Sequence, residues 1–132
     1  NDTLFEGTIL ENITCKNPKI TNQKLKEVTD NLDLTNFIKR LPLGLETRVY
    51  GEGKQINSSI IQKILLARCI INEPKILFLE EPLSKVDSKQ SNQIIDYLTD
   101  KKHNWTLVII SQNDYWTTKV NKRFVLEKGE II

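Results

Sequence analysis

Apolar and polar residues recur in the first third of the chain at a spacing typical of helices. Leu25, Val28 and Leu32 share one face of the segment that follows Thr21, and charged residues occupy the opposite face. This period predicts an amphipathic helix, and a second short helix is expected over residues 34–39, before the helix-breaking proline and glycine of "LPLG". Residues 4–13, "LFEGTILENI", are expected to form a short extended piece that turns at Gly7 into a helical turn. We predict that the first third is an all-helical subdomain.

A longer apolar run in the middle of the chain predicts a buried helix. The segment "IIQKILLARCII", residues 60–71, is apolar nearly all round, and such a helix has no face suited to water. A polar, glycine-containing loop over residues 44–59 precedes it, and either Asn57 or Ser58 is expected to cap the helix. Free backbone N–H groups at the helix start then point into the loop region.

Two shorter apolar runs predict neighbouring strands of a parallel sheet. Residues 76–79 and 106–110 are continuous apolar segments of strand length, which is the pattern of strands covered on both faces. A helix that begins after a capping Asp87 connects them, so the unit is a strand, a crossover helix and a parallel strand. A hairpin is expected about Lys128 and Gly129.

Each predicted strand is followed directly by groups suited to phosphate chemistry. Glu80 and Glu81 close the first strand, and "SQND", which includes Gln112, follows the second. The carboxyl ends of parallel strands form the edge where ligands of open α/β sheets bind. In a nucleotide-hydrolysing sheet, the first acid holds Mg²⁺ and the second orients or deprotonates the attacking water. A polar residue after the next strand reaches the γ-phosphate.

Composition and charge argue against a nucleic-acid groove. The 132 residues carry 19 Lys and Arg against 17 Asp and Glu, a formal net charge of +2, with no basic stripe. No nucleic-acid partner is therefore expected. Trp105, Tyr115 and Trp116 are predicted to be packing residues rather than a base-stacking platform, and His103, in a polar run, is predicted to lie on the solvated surface.

The order and spacing of these motifs resemble a known family. The stretch "NSSIIQKILLARCIINEPKILFLEEPLSKVD" resembles the segment of ATP-binding cassette (ABC) transporter nucleotide-binding domains that runs from the signature motif through Walker B to the D-loop. "LFEGTILENI" is similar to the stretch after the Q-loop in exporter-type members, and "RFVLEKGEII" is similar to their terminal hairpin. The likeness covers almost the whole chain.

The resemblance implies an α/β fold. It is a partial P-loop NTPase (ABC ATPase) fold with a helical subdomain, parallel strands with flanking helices, and a C-terminal β-hairpin. Residues 1–56 then form the post-Q-loop segment and the helical subdomain. Residues 57–132 carry the signature helix, the Walker B strand, the D-loop, the H-loop strand and the terminal hairpin of the ATPase core.

The resemblance also assigns roles to four positions. Glu80 takes the place of the Walker B aspartate that holds Mg²⁺, and Glu81 matches the catalytic glutamate. Gln112 stands at the switch histidine, where it can hydrogen-bond a phosphate but cannot carry a proton. Asp87 matches the aspartate of the D-loop. Because Glu80 is one methylene longer than aspartate, a shifted geometry at Mg²⁺ is expected.

The signature motif shows the largest departure from the family. Its Leu-Ser-Gly-Gly-Gln falls on residues 56–60, so Asn57 replaces the serine, and Ser58 and Ser59 replace the two glycines. In the family, the glycines let the backbone approach the γ-phosphate bound on a partner subunit, and the helix start donates to it. With serines at both positions, reduced hydrolysis is expected.

The function implied is that of part of the cytoplasmic ATP-binding domain of an ABC exporter, which couples ATP binding and hydrolysis to substrate transport across a membrane. ATP and Mg²⁺ are the implied cofactors of the full-length protein. The implied partners are a second nucleotide-binding domain and the transmembrane domain, at the cytoplasmic face of the cell membrane.

This chain is expected to be a piece of a longer protein. The Walker A pattern G-x-x-x-x-G-K-[ST], whose loop cradles the phosphates, does not occur in it. By itself, the chain is therefore not expected to hydrolyse ATP.

Two other functions stay open at this point. A non-hydrolysing interaction or regulatory module that keeps the cassette fold is favoured by the altered signature and the missing histidine, and it is opposed by Glu81. A soluble cassette enzyme that acts on nucleic acid is disfavoured by the exporter-like "LFEGTILENI".

Overall fold

The structure is a computed structural model, and it describes residues 2–132. Its five α-helices are α1 (Ile9–Thr14), α2 (Asn22–Asn31), α3 (Thr35–Arg40), α4 (Ser58–Ile70) and α5 (Ser88–Leu98). Its six strands are β1 (Gly7–Thr8), β2 (Arg48–Val49), β3 (Ile76–Glu80), β4 (Thr106–Ile110), β5 (Leu126–Glu127) and β6 (Glu130–Ile131). Short 3₁₀ helices cover Gly44–Glu46, Gly51–Gly53 and Asp114–Thr118. In this part of the chain, no helix is both long enough and apolar enough to cross a membrane.

The strands of residues 2–132 form three two-stranded sheets, one of them parallel. β3 and β4 pair in parallel from Ile76 opposite Thr106 to Glu80 opposite Ile110, and α5 connects them. β1 pairs with β2, and β5 pairs with β6, both antiparallel. The predicted unit of strand, crossover helix and parallel strand is therefore confirmed.

Side-chain caps explain where four of the five described α-helices begin. Thr8 accepts a hydrogen bond from the backbone N–H of Glu11, whose carboxylate accepts from the N–H of Thr8, and this pair is a complete capping box. Thr21, Asn57 and Asp87 accept from backbone N–H groups at the starts of α2, α4 and α5. Of the two caps expected for α4, Asn57 is the one that forms.

The buried apolar side chains form one hydrophobic core. α4 contributes Ile64, Leu66, Ala67 and Ile70, all of them buried, as its apolar sequence predicts. Buried side chains of α2, α5 and β3 join the same cluster. The removal of these side chains from water is the main favourable contribution to folding.

The predicted extended piece that turns at Gly7 into a helical turn is confirmed as β1 followed by α1, so the prediction that the first third is all-helical is wrong. β1 lies in this region and pairs with β2, so that Gly7 is opposite Val49 and Thr8 is opposite Arg48. A strand of two residues is too short to show the alternation by which strands are recognised in sequence. Its existence depends on a partner strand that lies far along the chain.

The described residues cover only one face of the parallel pair. Leu77 and Leu79 are buried, whereas Ile76 and Phe78 are 66% and 64% exposed. β4 alternates in the same way, and Ile110 is 52% exposed. The prediction that both strands are covered on both faces is therefore wrong for residues 2–132. A continuous apolar run is typical of strands with two covered faces, but it does not identify what covers them.

The predicted hairpin about Lys128 and Gly129 is confirmed. Both residues have positive φ angles, 51° and 86°, the pattern of a type I′ turn between paired strands. The apolar side chains of Leu126 and Ile131 are 73% and 69% exposed. The hairpin thus presents them to the outside of the described structure.

A buried ammonium group joins α4 to two other elements. Lys63 of α4 is 2% exposed, and its Nζ lies 3.1 Å from Asp33 Oδ2 and 2.5 Å from Gln90 Oε1. Asp33 follows α2, and Gln90 lies in the first turn of α5. A buried cation requires such partners, because it has lost its hydration. The contact holds α4 in place against the end of α2 and the start of α5.

His103 lies in an aromatic cluster rather than on the solvated surface, so that prediction is wrong. Its ring stacks on Trp105 with centroids 3.9 Å apart, and it meets the ring of Tyr97 edge-on at 4.8 Å. Its Nε2 lies 2.8 Å from the backbone oxygen of Tyr97. Partial withdrawal of the ring from water lowers the pKa of His103 below its ordinary value of 6.5. Trp105 and Trp116 pack against the core, as predicted.

Lys63→Ala is expected to destabilise the fold by about 2–3 kcal/mol, because it opens a cavity and leaves Asp33 and Gln90 without their partner. Chemical denaturation of the 132-residue chain measures this free energy of unfolding. Lys26→Ala is the matched control: Lys26 is 78% exposed and pairs with Asp30 on the surface, so a loss of about 0.5 kcal/mol or less is expected. Equal losses in the two variants would contradict a structural role for the buried ammonium.

His103 is the single histidine, so its shift can be measured directly by NMR titration. The imidazole is expected to titrate below pH 6.5. The free energy of unfolding is expected to fall as the pH drops from 6.5 toward the lowered pKa, because the unfolded chain then binds a proton that the folded chain does not. Trp105→Leu, which removes the stacked ring, is expected to return the pKa toward 6.5. An unchanged pKa in the Trp105→Leu variant would show that stacking on Trp105 does not cause the lowered pKa of His103.

Candidate functional site

The carboxyl ends of β3 and β4 lie side by side and define the candidate site. The last pair in their register is Glu80 opposite Ile110, and the backbone N–H of Glu81 donates to Ile110 O at 2.8 Å. Parallel strands bring their corresponding ends to one edge, so the groups that follow the two strands become neighbours. Both acids therefore lie at the edge where the sequence predicts a ligand site.

Glu81 directs its carboxylate to the loop after β4. Its backbone lies in the left-handed region, with φ of 40°, where the chain leaves the strand sharply. Its Oε2 accepts a hydrogen bond from the hydroxyl of Ser111 at 3.0 Å, and its Oε1 accepts from the backbone N–H of Gln112 at 2.6 Å. Both carboxylate oxygens are therefore held by the residues that directly follow β4.

The structure brings Gln112 to Glu81 through its backbone rather than through its side chain. The side-chain amide of Gln112 is exposed and makes no hydrogen bond to any other residue of the described chain. The side chain that contacts Glu81 is that of Ser111, which the sequence reasoning missed. The available signal was a hydroxyl directly after an apolar strand, and that is too common to single out one of the four polar residues in "SQND".

Glu80 lies on the open face of the parallel pair, the same face of β3 as Ile76 and Phe78. It is exposed, and within residues 2–132 its carboxylate makes no hydrogen bond or ion pair. No group of three or more His, Cys, Asp or Glu side chains in that range is placed to hold a metal ion. Mg²⁺ is commonly held by one or two carboxylates, with water and phosphate oxygens completing its shell. The free carboxylate of Glu80 fits this pattern as a single protein ligand.

The residues at the start of α4 are ordered by their own cap. Asn57 Oδ1 accepts from the backbone N–H of Ser59 at 2.8 Å. Ser58 is exposed and Ser59 is half-buried, and their hydroxyls make no hydrogen bond within the part of the chain that the structure describes. These two hydroxyls and the remaining N–H groups of the first turn are donors without a partner there.

Asp87 is the cap of α5 in this structure. Its Oδ1 accepts from the backbone N–H of Gln90 at 3.1 Å, and the residue is exposed. The prediction that Asp87 caps this helix is therefore confirmed.

The start of α4 is tied to the segment that leads from Glu81 to α5. Gln62 makes both contacts: its Nε2 donates to Ser84 Oγ at 2.9 Å, and its Oε1 accepts from the backbone N–H of Lys85 at 2.7 Å. The neighbouring Lys63 binds Gln90 in α5. These contacts hold the starts of the two helices at a fixed position relative to each other.

The structure thus separates the predicted site residues into two groups. Glu80, Glu81 and Gln112 share the edge of the parallel pair. The second group, at the starts of α4 and α5, consists of Asn57, Ser58, Ser59 and Asp87. Among the described residues, no hydrogen bond or ion pair joins one group to the other.

Curated relatives match the chain over nearly its whole length, although no protein-family model matches it. It is 30% identical over 129 residues to the fatty acid ABC transporter ATP-binding/permease protein of Mycobacterium bovis, which covers 98% of this chain and 20% of that protein. It is 29% identical over 129 residues to ABC transporter B family member 21 of Arabidopsis thaliana, which covers 98% of this chain and 10% of that protein. The chain therefore spans a quarter or less of the length of these relatives.

A solved structure has the same fold. A bacterial Atm1-family ABC exporter with ATP bound matches 99% of this chain with a TM-score of 0.88, at 23% sequence identity, and the chain covers 23% of that protein. The expected α/β architecture, a partial P-loop NTPase fold of the ABC ATPase kind, is confirmed by this likeness. The chain is therefore homologous over nearly its whole length to a part of ABC exporter ATP-binding/permease proteins, and its fold is consistent with part of a nucleotide-binding domain.

Proposed function

We propose that this chain forms part of the cytoplasmic ATP-binding domain of an ABC exporter, where it helps to couple ATP binding and hydrolysis to substrate transport across a membrane. The chain supplies carboxylates and a signature helix to that domain. The loop that cradles the phosphates is proposed to come from another part of the full-length protein. The relatives named as transporters support the transport function.

One observation carries the ATPase part of the proposal: Glu80 and Glu81 lie at the end of a strand that pairs in parallel with β4. Glu81 is proposed to orient or deprotonate the water that attacks the γ-phosphate, and Gln112 to hydrogen-bond that phosphate. The exposed side-chain amide of Gln112 is free for this contact. Glu81 is already held in one orientation, which lowers the cost of reaching a reactive geometry.

Glu80 is proposed to hold Mg²⁺, directly or through water, at the same edge. Its exposed carboxylate has no competing partner among residues 2–132. Mg²⁺ held by Glu80 would supply positive charge that offsets the charge of the phosphate oxygens. The extra methylene of Glu80 relative to aspartate places the carboxylate farther from the strand, and this supports slower hydrolysis.

A second nucleotide-binding domain is the proposed partner of the start of α4. Asn57, Ser58 and Ser59 are proposed to face a phosphate held by that partner, because hydroxyls and helix N–H groups suit an anion. Asp87 is proposed to lie at the same interface. The transmembrane domain of the transporter is the other proposed partner, which places the chain at the cytoplasmic face of the cell membrane. The division into residues 1–56 and 57–132 belongs to this proposal.

Hydrolysis is proposed to be reduced rather than lost. Ser58 and Ser59 carry side chains where the family's glycines allow the backbone to come close to the phosphate. Gln112 cannot carry the proton or positive charge of a histidine. Glu81, however, retains the carboxylate that the chemical step requires.

A non-hydrolysing interaction or regulatory module is the second candidate, and the cap at Asn57 favours it. The side-chain oxygen at the position of the signature serine is used by the backbone N–H of Ser59, instead of being presented to a ligand. Binding of MgATP by the full-length protein without any release of phosphate would select this candidate.

Glu81→Gln is expected to lower kcat for ATP hydrolysis by the full-length protein about a hundredfold, because an amide keeps the shape of the side chain but cannot accept the proton of water. Affinity for MgATP is expected to stay within about threefold, since Glu81 is proposed to act on water rather than to hold the nucleotide. Phosphate release and equilibrium nucleotide binding measure the two quantities separately.

Glu127→Gln is the matched control for that variant. Glu127 is an exposed residue of the hairpin, so the same chemical change there is expected to leave kcat unaltered. Equal rates for the wild type and Glu81→Gln would remove Glu81 from the catalytic role.

Gln112→His is expected to raise kcat by about tenfold, because an imidazole can carry a proton or a charge toward the phosphate and an amide cannot. Steady-state hydrolysis by the full-length protein measures this change. Gln112→Asn keeps the amide and is expected to give no increase. If the histidine variant were no faster than the asparagine variant, this position would not face the phosphate.

A further inference from the structure

Two different kinds of donor hold the carboxylate of Glu81. Its Oε1 accepts from the backbone N–H of Gln112, and its Oε2 accepts from the side-chain hydroxyl of Ser111. The backbone donor does not depend on the side chain at position 112, whereas the hydroxyl depends on the identity of Ser111. One replaceable side chain therefore controls half of the hydrogen bonding of this carboxylate.

The proton of the Ser111 hydroxyl is directed at Glu81. A hydroxyl can donate one hydrogen bond and can accept others through its lone pairs. The Ser111 oxygen accepts from the backbone N–H of Asn113 at 3.1 Å, so the loop occupies its acceptor side. Asn113 is in turn the cap of the 3₁₀ helix Asp114–Thr118, because its Oδ1 accepts from the backbone N–H of Tyr115 at 3.0 Å. The hydroxyl of Ser111 is thus linked through Asn113 to a 3₁₀ helix, which fixes its position.

The same contacts close a ring between the ends of the two strands. The backbone N–H of Glu81 donates to Ile110 O at 2.8 Å, at the last position of β4. The carboxylate then accepts from the next two residues, Ser111 and Gln112. Three hydrogen bonds over three consecutive residues leave Glu81 one orientation, and the half-buried Ser111 is the only side-chain donor among them.

We propose that Ser111 is a positioning residue that holds Glu81 Oε2, so that the carboxylate meets the attacking water in one fixed orientation. The inference rests on the proposed function, because it assumes that Glu81 acts on water in ATP hydrolysis. Ser111 itself neither contacts the nucleotide nor transfers a proton in this scheme. Without its hydroxyl, Oε2 has no hydrogen-bond donor within the described residues, and the carboxylate can rotate about its remaining contact.

The test compares Ser111→Ala with Ser111→Thr in the full-length protein, by kcat and KM for MgATP hydrolysis. Ser111→Ala is expected to lower kcat about tenfold, which corresponds to about 1.4 kcal/mol, with KM unchanged within about twofold. Ser111→Thr keeps a hydroxyl at the same place and is expected to recover about half of the wild-type kcat or more. The Tm of Ser111→Ala is expected to stay within about 2 °C of the wild type, since a merely structural role would lower the Tm instead.

Thr118→Ala is the matched control, because Thr118 donates its hydroxyl to Tyr115 O at 2.7 Å in the same segment without contacting Glu81. Its kcat is expected to equal that of the wild type. The inference is overturned if Ser111→Ala keeps the wild-type kcat, if Ser111→Thr is as slow as Ser111→Ala, or if Thr118→Ala is equally slow. A wild-type protein that binds MgATP and does not hydrolyse it overturns the proposed function and this inference with it, so the wild-type assay separates the two failures.

Discussion

The parallel pairing of β3 with β4 is the constraint on which the candidate site depends. Five residue pairs set the register, and the last of them is Glu80 with Ile110. A shift by one residue would turn every side chain of β3 to the opposite face of the sheet. The observed register delivers Glu81 to the hydroxyl of Ser111 and to the backbone of Gln112. The orientation of the candidate base is therefore a property of strand pairing rather than of a free loop.

A second constraint comes from α4, which is buried in the core and cannot shift without disturbing it. Gln62 and Lys63 extend from this helix to the segment after β3 and to the start of α5. The cap of α4 at Asn57 and the cap of α5 at Asp87 are thus connected through the body of the domain. In the proposed function, a partner that contacts the start of α4 or of α5 therefore acts on both helices together, because Gln62 and Lys63 join them.

The failed predictions share a physical cause. The alternation of exposed Ile76 and Phe78 with buried Leu77 and Leu79 depends on which elements lie on each face of the sheet, and that is not written in an apolar run. The environment of His103 likewise depends on Tyr97 and Trp105, which the fold brings to it. Local polarity alone indicates an exposed position for such a residue.

The sequence by itself determined the helices with strong periodicity or caps, the two apolar strands with α5 between them, the hairpin turn, and the location of Glu80 and Glu81 at a strand end. These features follow from local chemistry: apolar spacing, side-chain caps, and the positive φ angles that Lys128 and Gly129 adopt. Only the tertiary structure decided which face of the sheet is open, that Ser111 rather than the side chain of Gln112 holds Glu81, and that Lys63 is buried. These outcomes depend on which distant groups share a hydrogen bond or exclude water, and such contacts exist only once the chain has folded.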